Sequence, residues 1–165
     1  PSRIGGKGFD LRSRGAEICY NHAMEMMKKY PGIKIAAMGD MNDDPFDDSM
    51  ALWLHGRENL DEVGEEDFFN PFLSMIKAGY GSLCYQNQWC IYDQILVNST
   101  LAKAPQGGLK ITPLVKNTYY GRIFKKPFMI QQKGQYKDQP FRTFSNGSFI
   151  GGYSDHFPTY ILITK

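Results

Sequence analysis

A short apolar run, residues 33–38, lies between Pro31-Gly32 and the polar string Gly39-Asp40-Met41-Asn42-Asp43-Asp44-Pro45. A run of that length with a breaker on each side predicts a buried strand. Ahead of it, Ile18, Cys19, Ala23, Met26, Met27 and Tyr30 recur at three- and four-residue intervals, and Lys28-Lys29 precede the proline. That pattern predicts a helix over residues 13–30 with its stop signal in place. Residues 1–12, which carry Gly5, Gly6 and Gly8 and few apolar side chains, read as loop. Helix followed by strand predicts an α/β layered fold. The chain's 165 residues, 42% apolar and 22% charged, suffice for one well-buried domain and are too few for two ordinary ones.

The charge changes sign along the chain. Residues 40–67 hold eleven Asp or Glu against a single Arg, with a short helix expected over 47–55. Residues 103–142 hold nine Lys or Arg against Asp138 alone, interleaved with Tyr119, Tyr120, Phe124, Phe128, Tyr136 and Phe141. One or two strands joined by long loops are expected there. Residues 89–97 predict a strand by their β-branched and aromatic content, and alternation puts Ile91, Asp93, Ile95 and Val97 on one face. A last strand is expected over 157–164, with Pro158 near its start, where a missing ladder donor is tolerated.

Whole-chain charge, +2, excludes a generally basic protein that coats nucleic acid. The three cysteines lack a C-x-x-C pair, which argues against a zinc ribbon or a disulfide scaffold. Only Cys84 and Cys90 are spaced to bridge, and plain packing is the simpler expectation. No stretch approaches the roughly 18 apolar residues of a membrane span, and the opening has neither a basic nor an apolar leader region. The chain reads as soluble, with its compartment undecided.

Three clusters carry chemistry. The first follows the predicted strand, and polar groups at the carboxyl ends of strands in layered α/β folds are where ligands gather. Its plain alternative is an Asx-rich turn. A calcium loop matches at Asp40, Asn42 and Asp44 but fails where Pro45 stands for the turn glycine and Ala51 for the bidentate Glu. The second is Asp93, an ionised side chain on a half-buried face, which requires a cationic or hydrogen-bonding partner. The third is Ser154-Asp155-His156, flanked by Gly151-Gly152 and set just before the last strand. Histidine titrates near neutrality, and a carboxylate partner would fix its tautomer and raise its pKa. His22 and His55 read as surface or packing residues.

The order of these clusters, G-D-x-N, then an Asp in a late strand, then S-D-H before the terminal strand, resembles the endonuclease/exonuclease/phosphatase family. Its relatives include deoxyribonuclease I, abasic-site endonucleases, sphingomyelinases and inositol-polyphosphate phosphatases. Pro1-Ser2-Arg3 with Gly5-Gly6 is similar to the segment that follows a catalytic His-Trp in one bacterial branch, so the resemblance spans residues 1–165 and implies a bacterial origin. It implies a four-layered α/β sandwich of the deoxyribonuclease I-like type, of which this chain is the C-terminal portion. The catalytic histidine, an early Asn and a metal-binding Glu would then belong to an upstream half of the same protein, present as a separate chain or lying upstream, and this chain alone would be inert.

The implied activity is hydrolysis of a phosphodiester or phosphomonoester, nucleic acid included, by metal-assisted in-line attack of water, with Mg2+ (or Mn2+ or Ca2+) as the cofactor. By the same resemblance Asp40 orients or deprotonates the water, Asn42 holds a phosphoryl oxygen or the metal's surroundings, and Asp155 binds the metal. His156, paired with Asp93, stabilises the developing charge, and Ser2 and Arg3 contact phosphate. The alternative from another class is a non-catalytic fragment that holds an anionic partner through the basic aromatic stretch 103–142.

Overall fold

The computed structural model describes residues 8–116 and 118–165. Helix α1 (Gly8–Lys29) begins earlier than expected, inside the stretch read as loop. Its buried side consists of Arg12, Ser13, Ala16 and Ala23, joined by Tyr20 and Met24, while Ile18 and Cys19 face solvent. The inward stripe differs from the expected one because small alanines let the helix lie close against its neighbours, and close packing selects by shape as well as by apolarity.

Strand β1 (Ala36–Asp40) starts later than the apolar run and ends on Asp40. Residues 33 and 35 are held instead by the Asn98 side chain, whose Nδ2 donates to the Ile33 carbonyl at 2.9 Å and whose Oδ1 accepts the Ile35 N–H at 3.0 Å. Nor is the strand buried as expected. Among the described residues β1 is an edge of its sheet, and Met38, Gly39 and Asp40 are exposed.

A single π-helical turn, Ser49–Trp53, occupies the middle of the acidic segment where a helix was expected. Short strands β2 (Gly56–Arg57) and β3 (Phe68–Phe69), helix α2 (Leu73–Lys77) and the hairpin of β4 (Leu83–Tyr85) and β5 (Gln88–Cys90) lead to β6 (Asp93–Asn98). The strand expected over 89–97 is thus two strands. It breaks because the Ile91 N–H leaves the ladder for Asp44 Oδ1, 2.8 Å away. The expected alternation holds across the break, since Ile91 and Ile95 share one apolar cluster and Val97 lies in the neighbouring one. In the β4–β5 hairpin Cys84 pairs with Trp89 and Leu83 with Cys90, so the two cysteines point to opposite faces and no disulfide joins them.

Helix α3 (Ser99–Ala102) is capped by Asn98, whose Oδ1 accepts the Leu101 N–H. Strands β7 (Lys110–Thr112) and β8 (Gly121–Ile123) sit among loops in the basic stretch, and β9 (Phe144–Ser145) and β10 (Ser148–Phe149) form a small hairpin. The last strand, β11 (Thr159–Thr164), begins after Pro158, whose carbonyl accepts the Phe124 N–H at 2.7 Å.

One sheet has the order β1-β6-β3-β2, antiparallel except for the parallel β2/β3 pair; a second has β11 between β7 and β8, all antiparallel. On one face of the first sheet Ala37, Phe68 and Leu96 meet Ala16 and Ala23 of α1, with Met50 and Leu54 of the π turn region. On the other face Ala36, Phe69 and Val97 meet Ile111 and Ile161 of the second sheet. The fold is α/β, with helix, sheet and sheet in successive layers. Phe68, Phe72, Ile91, Leu96 and Val97 have no exposed surface; burying each such side chain stabilises the fold by about 1.5–3 kcal/mol.

Candidate active site

In the β1/β6 ladder Asp40 stands directly opposite Asp93. The adjoining pair carries a ladder bond, Met41 N–H to the Tyr92 carbonyl at 2.7 Å. Asp40 and Asp93 therefore form the non-hydrogen-bonded kind of pair, in which side chains on one face approach most closely. Two carboxylates so placed disfavour each other's charge unless a donor or cation joins them.

His156 is that group. Its Nδ1 lies 2.8 Å from Asp93 Oδ2, and the same oxygen accepts the Ser82 hydroxyl at 2.6 Å. An ionised carboxylate only accepts, so Nδ1 carries the proton and Nε2 is the ring nitrogen left to meet a ligand. The hydrogen bond to Asp93 raises the His156 pKa, burial opposes it, and the charges of Asp93, Asp155 and Asp40 add to the rise; the net direction is upward. The expectation that Asp93 requires a hydrogen-bonding or cationic partner is met by histidine and serine.

The loop before β11 is fixed by backbone bonds. Phe157 N–H donates to the Ser82 carbonyl at 2.7 Å, His156 N–H to Ser154 Oγ at 3.1 Å, and Gly152 N–H to the Arg142 carbonyl at 3.1 Å. A Cβ at residue 152 would stand 2.2 Å from the carbonyl oxygens of both Phe141 and Arg142, so only glycine permits this approach.

The segment after β1 divides its side chains between display and anchoring. Asp40 Oδ1 accepts the Asn42 N–H at 3.0 Å, an Asx turn, and Asn42 takes φ 55°, a left-handed conformation that Asn tolerates. The buried Asp43 accepts Ser49 Oγ at 2.6 Å and pairs with buried Arg12 at 2.7 Å. Gln94 Nε2 donates to the Asp43 carbonyl at 2.7 Å, and its Oε1 accepts Asn70 Nδ2 at 2.8 Å. With Asp43 and Asp44 so engaged and a π turn over Ser49–Trp53, the acidic loop has the shape of an anchored turn.

Asp93, Asp155 and Asp40 thus each lie within electrostatic reach of His156, Asp40 faces Asp93 across the ladder, and Asn42 is joined to Asp40 by its backbone N–H. Ser2 and Arg3 lie outside the described residues. His55 stacks on Tyr20 with ring centroids 4.1 Å apart and His22 is exposed on α1, in keeping with packing and surface roles. Of the basic stretch, Lys125 lies over the rings of Trp89 and Phe157, at 5.1 and 5.2 Å, next in the chain to His156. Lys103 Nζ instead donates to the Val63 carbonyl, and Arg142 to that of Cys84. Sequence reasoning missed Ser82 and Asn70, and gave no role to Gln94, which stands in the same cluster as Asp93. Ser82 has no motif around it; only its tertiary position beside Asp93 marks it.

Among the described residues no three His, Cys, Asp or Glu side chains converge to hold a metal ion, and no helix is long and apolar enough to cross a membrane. Comparison with protein families matches the Endonuclease/Exonuclease/phosphatase family over residues 1–165. Comparisons with curated proteins and with solved structures return no match.

Proposed function

This chain belongs to the endonuclease/exonuclease/phosphatase family, and from that premise we propose that it is a phosphoesterase whose reacting groups are Asp40, Asn42, Asp93 and His156. The observation that carries the reading is the hydrogen bond from His156 to Asp93, with Asp40 facing Asp93 across the ladder. A phosphate ester presents anionic oxygens that repel a nucleophile, so a site must neutralise charge and aim a water in line with the leaving oxygen. As the imidazolium that its raised pKa favours, with Nδ1–H on Asp93, His156 donates from Nε2–H to a phosphoryl oxygen. Asp40, exposed at the strand end, accepts a proton from the attacking water as its oxygen bonds to phosphorus and the P–O bond to the leaving group breaks, the departing oxygen taking its proton from solvent. Asn42 holds a second phosphoryl oxygen through its side-chain amide. Lys125, and with it part of the 103–142 stretch, adds positive charge on the substrate side.

The family resemblance also brings in a divalent ion, Mg2+, Mn2+ or Ca2+, with Asp155 as a ligand. The described residues do not complete a site for it; held beside Asp155, such an ion would supply further positive charge for the phosphoryl oxygens. Its requirement is a separate proposal, read by chelating the protein and restoring each ion in turn. The four-layered deoxyribonuclease I-like sandwich, with an upstream half packed beside β1, belongs to the same reading; the edge position of β1 among the described residues and its exposed Met38 support it. Substrates within the proposal are phosphodiesters and phosphomonoesters, nucleic acid among them.

The test is turnover of a bis-aryl phosphate and of single- and double-stranded DNA by the complete protein. Asp40→Asn and His156→Ala are each expected to lower the rate by more than tenfold, about 1.4 kcal/mol of barrier, with folding unchanged. A variant that keeps more than a tenth of the wild-type rate refutes the role given to its residue. Wild-type protein that binds phosphate esters through residues 103–142 without turning them over would favour the non-catalytic alternative.

A further inference from the structure

We propose that the cavity between β8 and the segments that follow β2 and β3 binds a small aromatic molecule carrying one negative charge, its ring against Tyr80, Tyr119 and Tyr120 and its carboxylate on Arg122. The cavity has a volume of about 710 Å³, within the roughly 300–1,000 Å³ of small-molecule sites. Its lining comes from three parts of the chain: residues 58–61 after β2, residues 71 and 74 after β3, and residues 118–120 and 122 at β8. In the order β1-β6-β3-β2, strand β2 is the edge away from β1, three strand spacings or roughly 14 Å from it. None of Asp40, Asp93, Asp155 and His156 lines the cavity, so its ligand is held by other groups than those given to phosphoester hydrolysis.

Four of the lining side chains are rings, set as two edge-to-face pairs. Phe69 meets Tyr120 with centroids 5.3 Å apart, and Tyr80 meets Tyr119 at 5.5 Å. Phe69 is buried and the tyrosines keep exposed surface, so the rings are ordered by one another and still offer area to a further ring. Arg122 supplies the charge. Its Nη2 donates to Thr118 Oγ1 at 2.8 Å, and that hydroxyl donates in turn to the Val115 carbonyl at 2.6 Å, so a neutral partner holds the guanidinium in place. A guanidinium has five N–H donors. Among the described residues Arg122 has no carboxylate partner, and its buried Nε has no acceptor. Glu58 and Asp61 line the same cavity, yet Glu58 pairs with Lys77. A planar carboxylate suits such a group, because a guanidinium meets it through two parallel N–H bonds. The two acids set the limit on ligand charge. A dianion, or a nucleic acid with a charge on every phosphate, would meet them as like charges with Arg122 as the one basic lining residue among those described.

The experiment is calorimetric titration of the complete protein, at mildly alkaline pH, with three probes that share one ring: naphthylacetate, its neutral amide naphthylacetamide, and the dianionic naphthylmethylphosphonate. The acetate is expected to bind saturably, at least about tenfold more tightly than the amide, or 1.4 kcal/mol, and more tightly than the phosphonate. Arg122→Gln, which keeps a donor for Thr118, is expected to abolish the preference for acetate over amide with an unchanged circular dichroism spectrum. Tyr119→Ala is expected to weaken both probes alike. Asp61→Asn, at an exposed residue, is expected to strengthen binding of the phosphonate and leave the amide as it was. Absence of saturable acetate binding, or equal affinity of the wild type for acetate and amide, overturns the proposal without recourse to any variant. So does tightest binding of the phosphonate, or a folded Arg122→Gln that still prefers the acetate. The readout is binding of probes that contain no phosphate ester, so its failure leaves the phosphoesterase reading standing, and failure of turnover leaves this one standing.

Discussion

Ser82 is fully buried, and its hydroxyl donates to the Asp93 oxygen that also meets His156. Ser82→Ala deletes one donor to an ionised acceptor and changes nothing in the backbone bond from Phe157 to the residue-82 carbonyl. Hydrogen bonds to charged groups contribute about 1.5–3 kcal/mol, and neutral ones about 0.5–1.5. The lower part of the charged range applies, because the Asp93 side chain is 21% exposed and keeps its histidine. The expected cost is about 1.5–2 kcal/mol, which for a chain of this size lowers Tm by about 3–8 °C. The assay is urea unfolding followed by circular dichroism at neutral pH, repeated in an Asp93→Ala background. There the alanine at 82 should cost about 1 kcal/mol less, a coupling inside the 0.5–3 kcal/mol found for contacting residues. At a pH low enough to protonate carboxylates, the cost should fall toward the neutral value. A cost under about 0.5 kcal/mol at neutral pH, or an equal cost in both backgrounds, would refute the assignment.

Asp93→Asn should lower the His156 pKa, read from the ring proton shift in an NMR titration, since the imidazolium loses its counter-ion. Because the folded pKa is raised, His156 stabilises the fold fully below its unfolded value, about 6.5, and that stabilisation fades as pH climbs through the folded value. The wild-type advantage over Asp93→Asn should therefore be larger at mildly acidic than at alkaline pH, and a constant difference would contradict the linkage. Asp43→Ala removes the carboxylate from a buried ion pair with Arg12 and from Ser49; a loss of about 3 kcal/mol in urea unfolding is expected. Gly152→Ala should move the Asp155-His156 loop, since its Cβ meets two carbonyl oxygens at 2.2 Å; a lowered His156 pKa in an NMR titration, with a largely retained core spectrum, is the expected signature, and an unchanged titration would contradict it.

The features legible in sequence are those set by local pattern. The helix before β1, the alternation of Ile91, Asp93, Ile95 and Val97, and a polar cluster after a strand end each follow from periodicity or from a breaker. What sequence could not supply depends on contacts distant in the chain. The inward face of α1 departs from the periodic apolar stripe because Ala16 and Arg12 are buried for reasons of fit and of pairing with Asp43, neither of which raises local apolarity. The break between β5 and β6 needs Asp44, far upstream, to capture the Ile91 N–H. Ser82 likewise becomes informative only once the hairpin places it beside Asp93.

Within Gly39-Asp40-Met41-Asn42-Asp43-Asp44 the acidic residues do unlike work, and position in the sheet decides which. Asp40 still belongs to β1 and shares its face with Asp93, so its carboxylate lies within electrostatic reach of His156. Met41 turns to the opposite face and packs with the α1 cluster. The left-handed turn at Asn42 then sends the chain under the sheet, where Asp43 and Asp44 satisfy groups that would otherwise be buried without partners. Each buried acid thereby fixes the neighbour that is displayed. A carboxylate at a strand end holds its geometry only if the turn beyond it cannot shift, and Arg12, Ser49, Gln94 and the Ile91 amide are what stop that turn from shifting. Substitutions at Asp43 or Asp44 should therefore impair the site through the position of Asp40, whereas Asp40→Asn should leave the fold as it is.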